Sequence, residues 1–262
     1  MLKNYLRSLL LIIAFSASSV YGYIDYPFRG CPEPIYEDAI SVQIKGGVAP
    51  SHWTKRGPVY ISDVLVDELF SLNSIPHFHE QFHTPWQAGA EVAWNVNRHV
   101  QLFLEGIYQQ SDGKRHSYFS DSDLFQESFS RYKNSGGFLG GRYYFNRICH
   151  AVSFFLGFKA GIVYQNRVSY HFVIDDLDFF KHHKYYRYQW APSAGLQAGA
   201  DIALSYNFSL VLTGEVTVTQ GMNSVRNIEY NPLVTGGITN IVLGETGKIV
   251  AFPVTLGLRY SF

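Results

Sequence analysis

The chain has 262 residues with 21 Lys and Arg against 21 Asp and Glu, so it lacks the excess positive charge that a nucleic-acid partner requires. Although 47% of its residues are hydrophobic and 16% aromatic, its mean hydropathy is −0.05, as expected where apolar and polar residues alternate on two faces. No stretch approaches 18 uninterrupted apolar residues, which excludes a spanning helix, and no Pro- or Ser-rich linker marks a second domain.

Lys3 and Arg7 precede a short apolar run, Leu9 to Phe15, followed by small residues and a cleavage point after Gly22. This is the layout of a signal peptide over residues 1–22, and it directs the mature chain to export. No cysteine stands at the cleavage point, so no lipid anchor is expected there. Residues 23–38 then read as an N-terminal extension on the periplasmic side, and residues 39–262 as the folded domain.

From Ala39 onward the dominant signal is a period of two, the mark of strands with one apolar face. Ala39 to Val48 puts Ile40, Val42, Ile44 and Val48 on one side. Thr84 to Asn95 does so with Trp86, Ala88, Ala90, Val92 and Trp94, turns through residues 95–98, and returns as Val100 to Gln110 with Val100, Leu102, Leu104 and Tyr108. Gly137 to Phe145 presents Leu139, Tyr143 and Phe145, turns at Asn146-Arg147, and returns as Ala151 to Tyr164 with Val152, Phe154, Leu156, Phe158, Ala160, Ile162 and Tyr164. Ser193 to Tyr206 carries Ala194, Leu196, Ala198, Ala200, Ile202 and Leu204. It turns at Asn207 and returns as Leu210 to Gln220 with Leu212, Val216 and Val218. Val250 to Phe262 closes the series with Val250, Phe252, Val254, Leu256, Leu258, Tyr260 and Phe262. About ten residues of alternation is the length a tilted strand needs to cross a bilayer with one face in lipid. The expected fold is therefore all-β: a membrane-spanning antiparallel up-and-down β-barrel of eight strands. Short turns belong on the periplasmic side and long loops, near residues 50–83, 111–135, 165–189 and 221–247, on the outside. Ten strands is the alternative count, because Val168 to Ile174 and Ile238 to Leu243 also read as strands.

On the opposite, inward face the same alternation places Glu91, Glu105, Arg142, Lys159, Asp201, Glu215 and Arg259. Most lie four or five residues from the short-turn ends, which puts them in one layer with Lys159 higher. An eight-stranded barrel is only wide enough to be filled by side chains. Buried charges persist only when partnered, so these residues are expected to form an ion-pair network that blocks a continuous pore.

The glycine-rich opening strand ending Lys45-Gly46-Gly47-Val48, the segment Gly140-Gly141-Arg142-Tyr143-Tyr144-Phe145-Asn146, and the terminal Leu256-Gly257-Leu258-Arg259-Tyr260-Ser261-Phe262 resemble the small outer-membrane β-barrels of Gram-negative bacteria, including OmpA-type transmembrane domains and OmpX- and OmpW-like proteins. The resemblance spans essentially the whole mature chain. It implies location in the outer membrane, contact with its lipids and lipopolysaccharide, and recognition of Tyr260 and the terminal Phe262 by the barrel-assembly machinery. The roles it implies range over envelope integrity, adhesion or other contact with a surface or host partner, narrow channels, and lipid-modifying catalysis. Fold alone does not choose among these.

Three further motifs bear on function. His79-Glu80-Gln81-Phe82-His83 matches H-E-x-x-H, with His77 two residues earlier, and on a helix the two outer histidines would share a face and bind zinc. Pro76 and Pro85 leave room for about two turns and no third ligand is placed by spacing, so ordinary loop packing on the barrel rim is the expected role, with adventitious or structural metal binding by His77, His79 and His83 as the alternative. No cofactor is expected. His182-His183 lies among Phe179, Phe180, Lys181 and the run Tyr185-Tyr186-Arg187-Tyr188, a composition suited to the headgroup level of a membrane, where basic residues meet lipopolysaccharide phosphates. Cys31 and Cys149 both fall on the periplasmic side, which is oxidising, so a disulfide between them is expected, with two separate thiols as the alternative. Serines and histidines are plentiful in the loops, but no spacing selects a nucleophile and its base. The leading expectation is a non-enzymatic envelope or surface-contact protein, ahead of a narrow channel and a lipid-modifying enzyme.

Overall fold

The computed structural model describes residues 39–54, 59–62, 78–118, 125–145, 152–174, 179–205, 207–223, 227–230, 238–243 and 247–262. Within them, eight antiparallel strands form a closed wall: β1 (Ile40–Val48), β2 (Trp86–Asn95), β3 (Val100–Ser111), β4 (Tyr132–Tyr144), β5 (Val152–Gln165), β6 (Gln189–Ala203), β7 (Phe208–Thr219) and β8 (Val254–Ser261). Each pairs with its neighbour in sequence. The ring closes where β1 meets β8, in the register Val42↔Tyr260, Ile44↔Leu258 and Gly46↔Leu256. Closure leaves the barrel wall without an edge strand, which is what a sheet in lipid requires, since no water is present there to satisfy an unpaired backbone.

The two-residue period sets which face each side chain takes. Along β1 the pattern is exposed at Ile40, Val42 and Ile44 and buried at Ser41, Gln43 and Lys45. β2 exposes Trp86, Val92 and Trp94 while burying Gln87, Glu91 and Asn95. Outward apolar residues and inward polar ones recur around the wall, the inverse of a soluble core.

Strand ends differ from the expected ones in places with a local reason. β4 begins at Tyr132 and β6 at Gln189, several residues before the apolar alternation, because the hydrogen-bonded ladder continues above it with polar residues such as Lys133 and Asn134. At the C-terminal strand, alternation persists back to Val250, but the strand is divided. Pro253 has no N–H to give the ladder, though its carbonyl still accepts from Glu215 N at 2.8 Å. Ile249–Ala251, on the far side of this break, pairs with the end of β7 and with Ser51–Trp53. These two short strands raise the wall on the loop side without widening it.

Val168–Ile174 and Ile238–Leu243 are strands, but they lie outside the barrel. The first joins Arg115–Tyr118, Phe125–Phe129 and Phe179–Tyr186 in a four-stranded sheet; the second joins Val59–Ser62 and Asn227–Tyr230 in a three-stranded one. The barrel therefore closes at eight strands, and the long loops spend part of their length on sheets of their own. Residues 1–22 and 23–38, Cys31, His77 and Cys149 lie outside the described residues, and with them the expected signal peptide, extension and disulfide.

A charge-paired lumen as candidate functional site

Inside the barrel the charged side chains form two groups. In the first, Arg142 of β4 donates through both terminal nitrogens to Glu91 of β2, at 2.5 and 2.6 Å, the bidentate geometry that suits guanidinium and carboxylate. The same nitrogens reach Gln101 Oε1 at 3.2 Å and Gln197 Oε1 at 3.3 Å. The guanidinium also lies over the rings of Phe103 and Phe155, 4.3 and 5.1 Å from their centroids. Arg259 of β8 pairs with Asp201 of β6, donates to the Tyr144 hydroxyl at 2.8 Å and to Gln43 Oε1 at 2.9 Å, and stands 3.8 Å from Glu91. Tyr144 passes the chain on to Gln101, and Gln101 to Asn95. Two arginines and two carboxylates thus balance one another across the width of the barrel.

The second group is a ring of four. Lys45 meets Glu105 at 2.7 Å and Glu215 at 3.2 Å; Lys159 meets the other oxygen of Glu105 at 2.9 Å and the other oxygen of Glu215 at 2.5 Å. Each carboxylate therefore gives one oxygen to each ammonium, and charges alternate around a closed square. All four side chains are buried. Lys45 lies two residues further along β1 than Gln43, which receives Arg259, so the ring sits on the loop side of the arginine group.

All seven charges expected on the inward face are brought into these contacts, but as two tiers: Glu105, Lys159 and Glu215 above, Glu91, Arg142, Asp201 and Arg259 below. Counting residues from strand ends misassigns the tiers because tilted, staggered strands place equal counts at different heights. Lys45 is not among the expected inward charges, and with it the balance is four acids to four bases. A signal for it was present. Six of the eight charged residues have an inward glycine two positions away on the same strand: Gly47 for Lys45, Gly89 for Glu91, Gly140 for Arg142, Gly157 and Gly161 for Lys159, Gly199 for Asp201, and Gly257 for Arg259. Long side chains can cross a narrow lumen only if their neighbours are small. A Cβ on Gly140 would stand 2.3 Å from the Phe103 ring and 2.4 Å from the Phe158 carbonyl oxygen; one on Gly157 would meet Arg142 Cγ and Gln197 Nε2 at 3.0 Å.

Above the ring lies a small cavity of about 20 Å³, lined on one part by Gln87, Gln109, Asn134, Lys159 and Glu215 and on another by Ile107, Phe138, Val163 and Ile249, room for a water or two. Over this cavity the barrel mouth is stopped by an aromatic plug assembled from all four long loops: Trp53, Phe78, Phe82, Phe129, Tyr132, Val168, Tyr186, Met222 and Ile249 are all buried together. Trp53 and Phe78 meet edge to face at 5.6 Å, Phe78 and Tyr132 at 5.2 Å, and Trp53 and Tyr186 at 5.7 Å.

The H-E-x-x-H motif supplies part of this plug. Helix α1 (Phe78–Gln81) is a single turn that buries Phe78 and Gln81, with Phe82 following. His79 and Glu80 lie on its outer side, their side chains 56% and 45% exposed, and His83 leaves the helix, its N–H donating to Asp112 O at 3.0 Å. The second turn that would align His79 with His83 on one helix face is not formed, so the motif lacks the geometry of a zinc-protease site. Among the described residues no three His, Cys, Asp or Glu side chains are grouped to hold a metal.

The outer face completes the picture. Aliphatic residues stand in its middle, Leu104, Leu139 and Leu196 being 62%, 67% and 69% exposed. Rings border it on both sides: Trp86, Tyr108, Tyr164, Tyr188 and Trp190 toward the loops, Trp94, Tyr143, Phe145, Phe208, Tyr260 and Phe262 toward the short turns. Trp86 and Trp94 are eight residues apart on β2, about 20 Å of height at ~3.3 Å per residue and a tilt near 40°, close to the ~25 Å apolar band of such barrels. An exposed apolar belt between aromatic girdles, around a charged interior, fits lipid outside and no other solvent. The protein is an outer-membrane β-barrel. At the short-turn rim of the barrel, Tyr260 packs on Phe208 and Phe262 at 4.9 Å each, and the Phe262 N–H donates to Ile40 O at 3.0 Å, so the terminal aromatics are held on the outer surface.

No protein-family model and no curated sequence matches the barrel. Solved structures similar to it include the Neisserial surface protein A, at 15% identity over 85% of this chain and 97% of that one, with a TM-score of 0.43. Others are the outer-membrane protein OprG from Pseudomonas aeruginosa, at 14% identity over 86% and 97% with a TM-score of 0.43, and the attachment invasion locus protein Ail of Yersinia pestis in complex with the heparin analogue sucrose octasulfate, at 14% identity over 86% and 99% with a TM-score of 0.36.

Proposed function

We propose that this barrel is a closed, non-enzymatic outer-membrane protein that serves envelope structure and surface contact through its external loops. The observation that carries this reading is the double closure of the lumen: four acids and four bases consume one another across the barrel, and an aromatic plug from all four loops covers them. Each buried charge has an opposite partner across the lumen, and opening a path breaks these pairs and strands charges in a narrow, poorly solvated space. The long loops, by contrast, carry two sheets of their own outside the barrel wall, and loops set on a rigid scaffold are where contact sites concentrate.

The test exchanges residues 114–130 and 168–186 for short turns. The shortened protein is expected to insert and to keep its barrel, while vesicles carrying it lose the binding to cell surfaces that the full protein confers. Turnover of labelled lipid or peptide by the full protein would overturn the non-enzymatic reading.

A further inference from the structure

Two exposed arginines face each other at a break in the barrel wall. The β5–β6 ladder runs as far as Gln165↔Gln189, and pairing resumes beyond it at Val168↔Tyr186, so Asn166-Arg167 lies against Arg187-Tyr188. Both arginines are exposed, and among the described residues neither has a carboxylate at ion-pair distance, whereas nearby Arg131 takes Asp112 at 2.8 Å. Like charges opposite one another in a sheet repel, unless an anion is shared between them. A third cation adjoins the gap: the Asn166 N–H donates to Lys133 O at 2.9 Å, and Lys133 follows the outward alternation of Ser135 and Leu139 on β4.

Immediately below stand Tyr164, Tyr188 and Trp190, with ring centroids 5.0 Å apart for Tyr164–Trp190 and 6.4 Å for Tyr164–Tyr188, the last two residues 60% and 70% exposed. Amphipathic rings of this kind settle at the headgroup level of a bilayer. The three cations are therefore one to three residues above the headgroup belt on the loop side, where the phosphates of outer-leaflet lipids lie.

We propose that Arg167, Arg187 and Lys133 form a clamp for the phosphorylated headgroup of an outer-leaflet lipid, with Tyr164, Tyr188 and Trp190 against the start of its acyl region. Guanidinium groups are suited to this role because their planar fork grips phosphate oxygens in pairs. The site deepens the surface-contact reading and depends on its placement of the loop side in the outer leaflet.

The test measures lipid retention by native mass spectrometry of the refolded protein with phosphorylated lipid A, lipid A stripped of its phosphates, and inorganic phosphate as competitor. Wild type is expected to keep the phosphorylated lipid. Arg167→Ser and Arg187→Ser should each weaken retention about five-fold and the double variant about 25-fold, from ~1 kcal/mol per basic residue at a membrane surface. Arg98→Ser, at an exposed short-turn position on the other end, should change nothing. Folding of every variant is checked by its heat-dependent gel mobility. Equal retention of both lipids, unchanged retention by the double variant, or displacement by inorganic phosphate as readily as by lipid overturns the proposal. Wild-type conductance is scored separately: a conducting barrel that still loses lipid in the double variant overturns the closed lumen and leaves the clamp standing.

Discussion

Replacing Arg142 with alanine removes the most heavily bonded side chain of the lumen and leaves its partner behind. Arg142 gives Glu91 two charge-assisted hydrogen bonds, at 2.5 and 2.6 Å, and the nearest remaining cation, Arg259, is 3.8 Å from that carboxylate and already engaged by Asp201 and Tyr144. At roughly 1.5–3 kcal/mol per hydrogen bond to a charged group the loss is about 3–6 kcal/mol, in line with the ~3–5 kcal/mol for removing one partner of a buried pair. Removing both charges with similar volume, as Glu91→Gln with Arg142→Met, leaves no unpaired carboxylate at position 91 and should cost less than the single alanine variant. Urea-induced unfolding from lipid vesicles, followed by the fluorescence of lipid-facing Trp86, Trp94 and Trp190, measures both. A loss under about 1 kcal/mol for Arg142→Ala, or a double variant as damaged as the single, would refute the dry, paired lumen and imply that water reaches Glu91 freely.

Three other substitutions probe the remaining parts of the fold. Gly140→Ala should cost at least ~1–3 kcal/mol and slow insertion, because the added methyl would collide with the Phe103 ring and the Phe158 carbonyl, and the same unfolding assay reads it. Phe78→Ala removes a fully buried ring from the plug; loop cleavage by external protease should accelerate sharply while the strands stay protected, as limited proteolysis of the vesicle-bound protein would show. Leu139→Arg, at a position 67% exposed in mid-belt, should cost ~2–4 kcal/mol in the vesicle unfolding assay, whereas a neutral result would mean that this face meets water.

Much of this architecture is legible in the residue order, because a barrel in lipid leaves little choice. Each wall strand must alternate, and an inward charge is recognisable as the polar partner of two apolar neighbours: Glu91 between Ala90 and Val92, Lys159 between Phe158 and Ala160. Lys45 escapes that rule because Gly46 and Gly47 blur the alternation beside it, although the glycines themselves mark the room a crossing side chain needs. Division of the charges into an arginine tier and a lysine–glutamate ring depends on strand stagger, which pairwise registers fix and single-strand patterns do not. Least visible is the plug. Trp53, Phe82, Tyr132, Tyr186 and Met222 are scattered over 170 positions, and no local period connects them; their meeting follows only once the barrel has brought four loop bases to one rim. The H-E-x-x-H spacing misleads for the reciprocal reason, since a local motif invites a two-turn helix where burial of Phe78, Gln81 and Phe82 allows one.

Single-channel recording of the purified, refolded protein in a planar bilayer tests the closed lumen most directly. Silence from the wild type is expected, with conductance gained when the paired layer and the plug are both broken, as in Arg142→Ala combined with Phe78→Ala. Steady conductance from the wild type would contradict the account and make the ring of Lys45, Glu105, Lys159 and Glu215 the filter of an open pore.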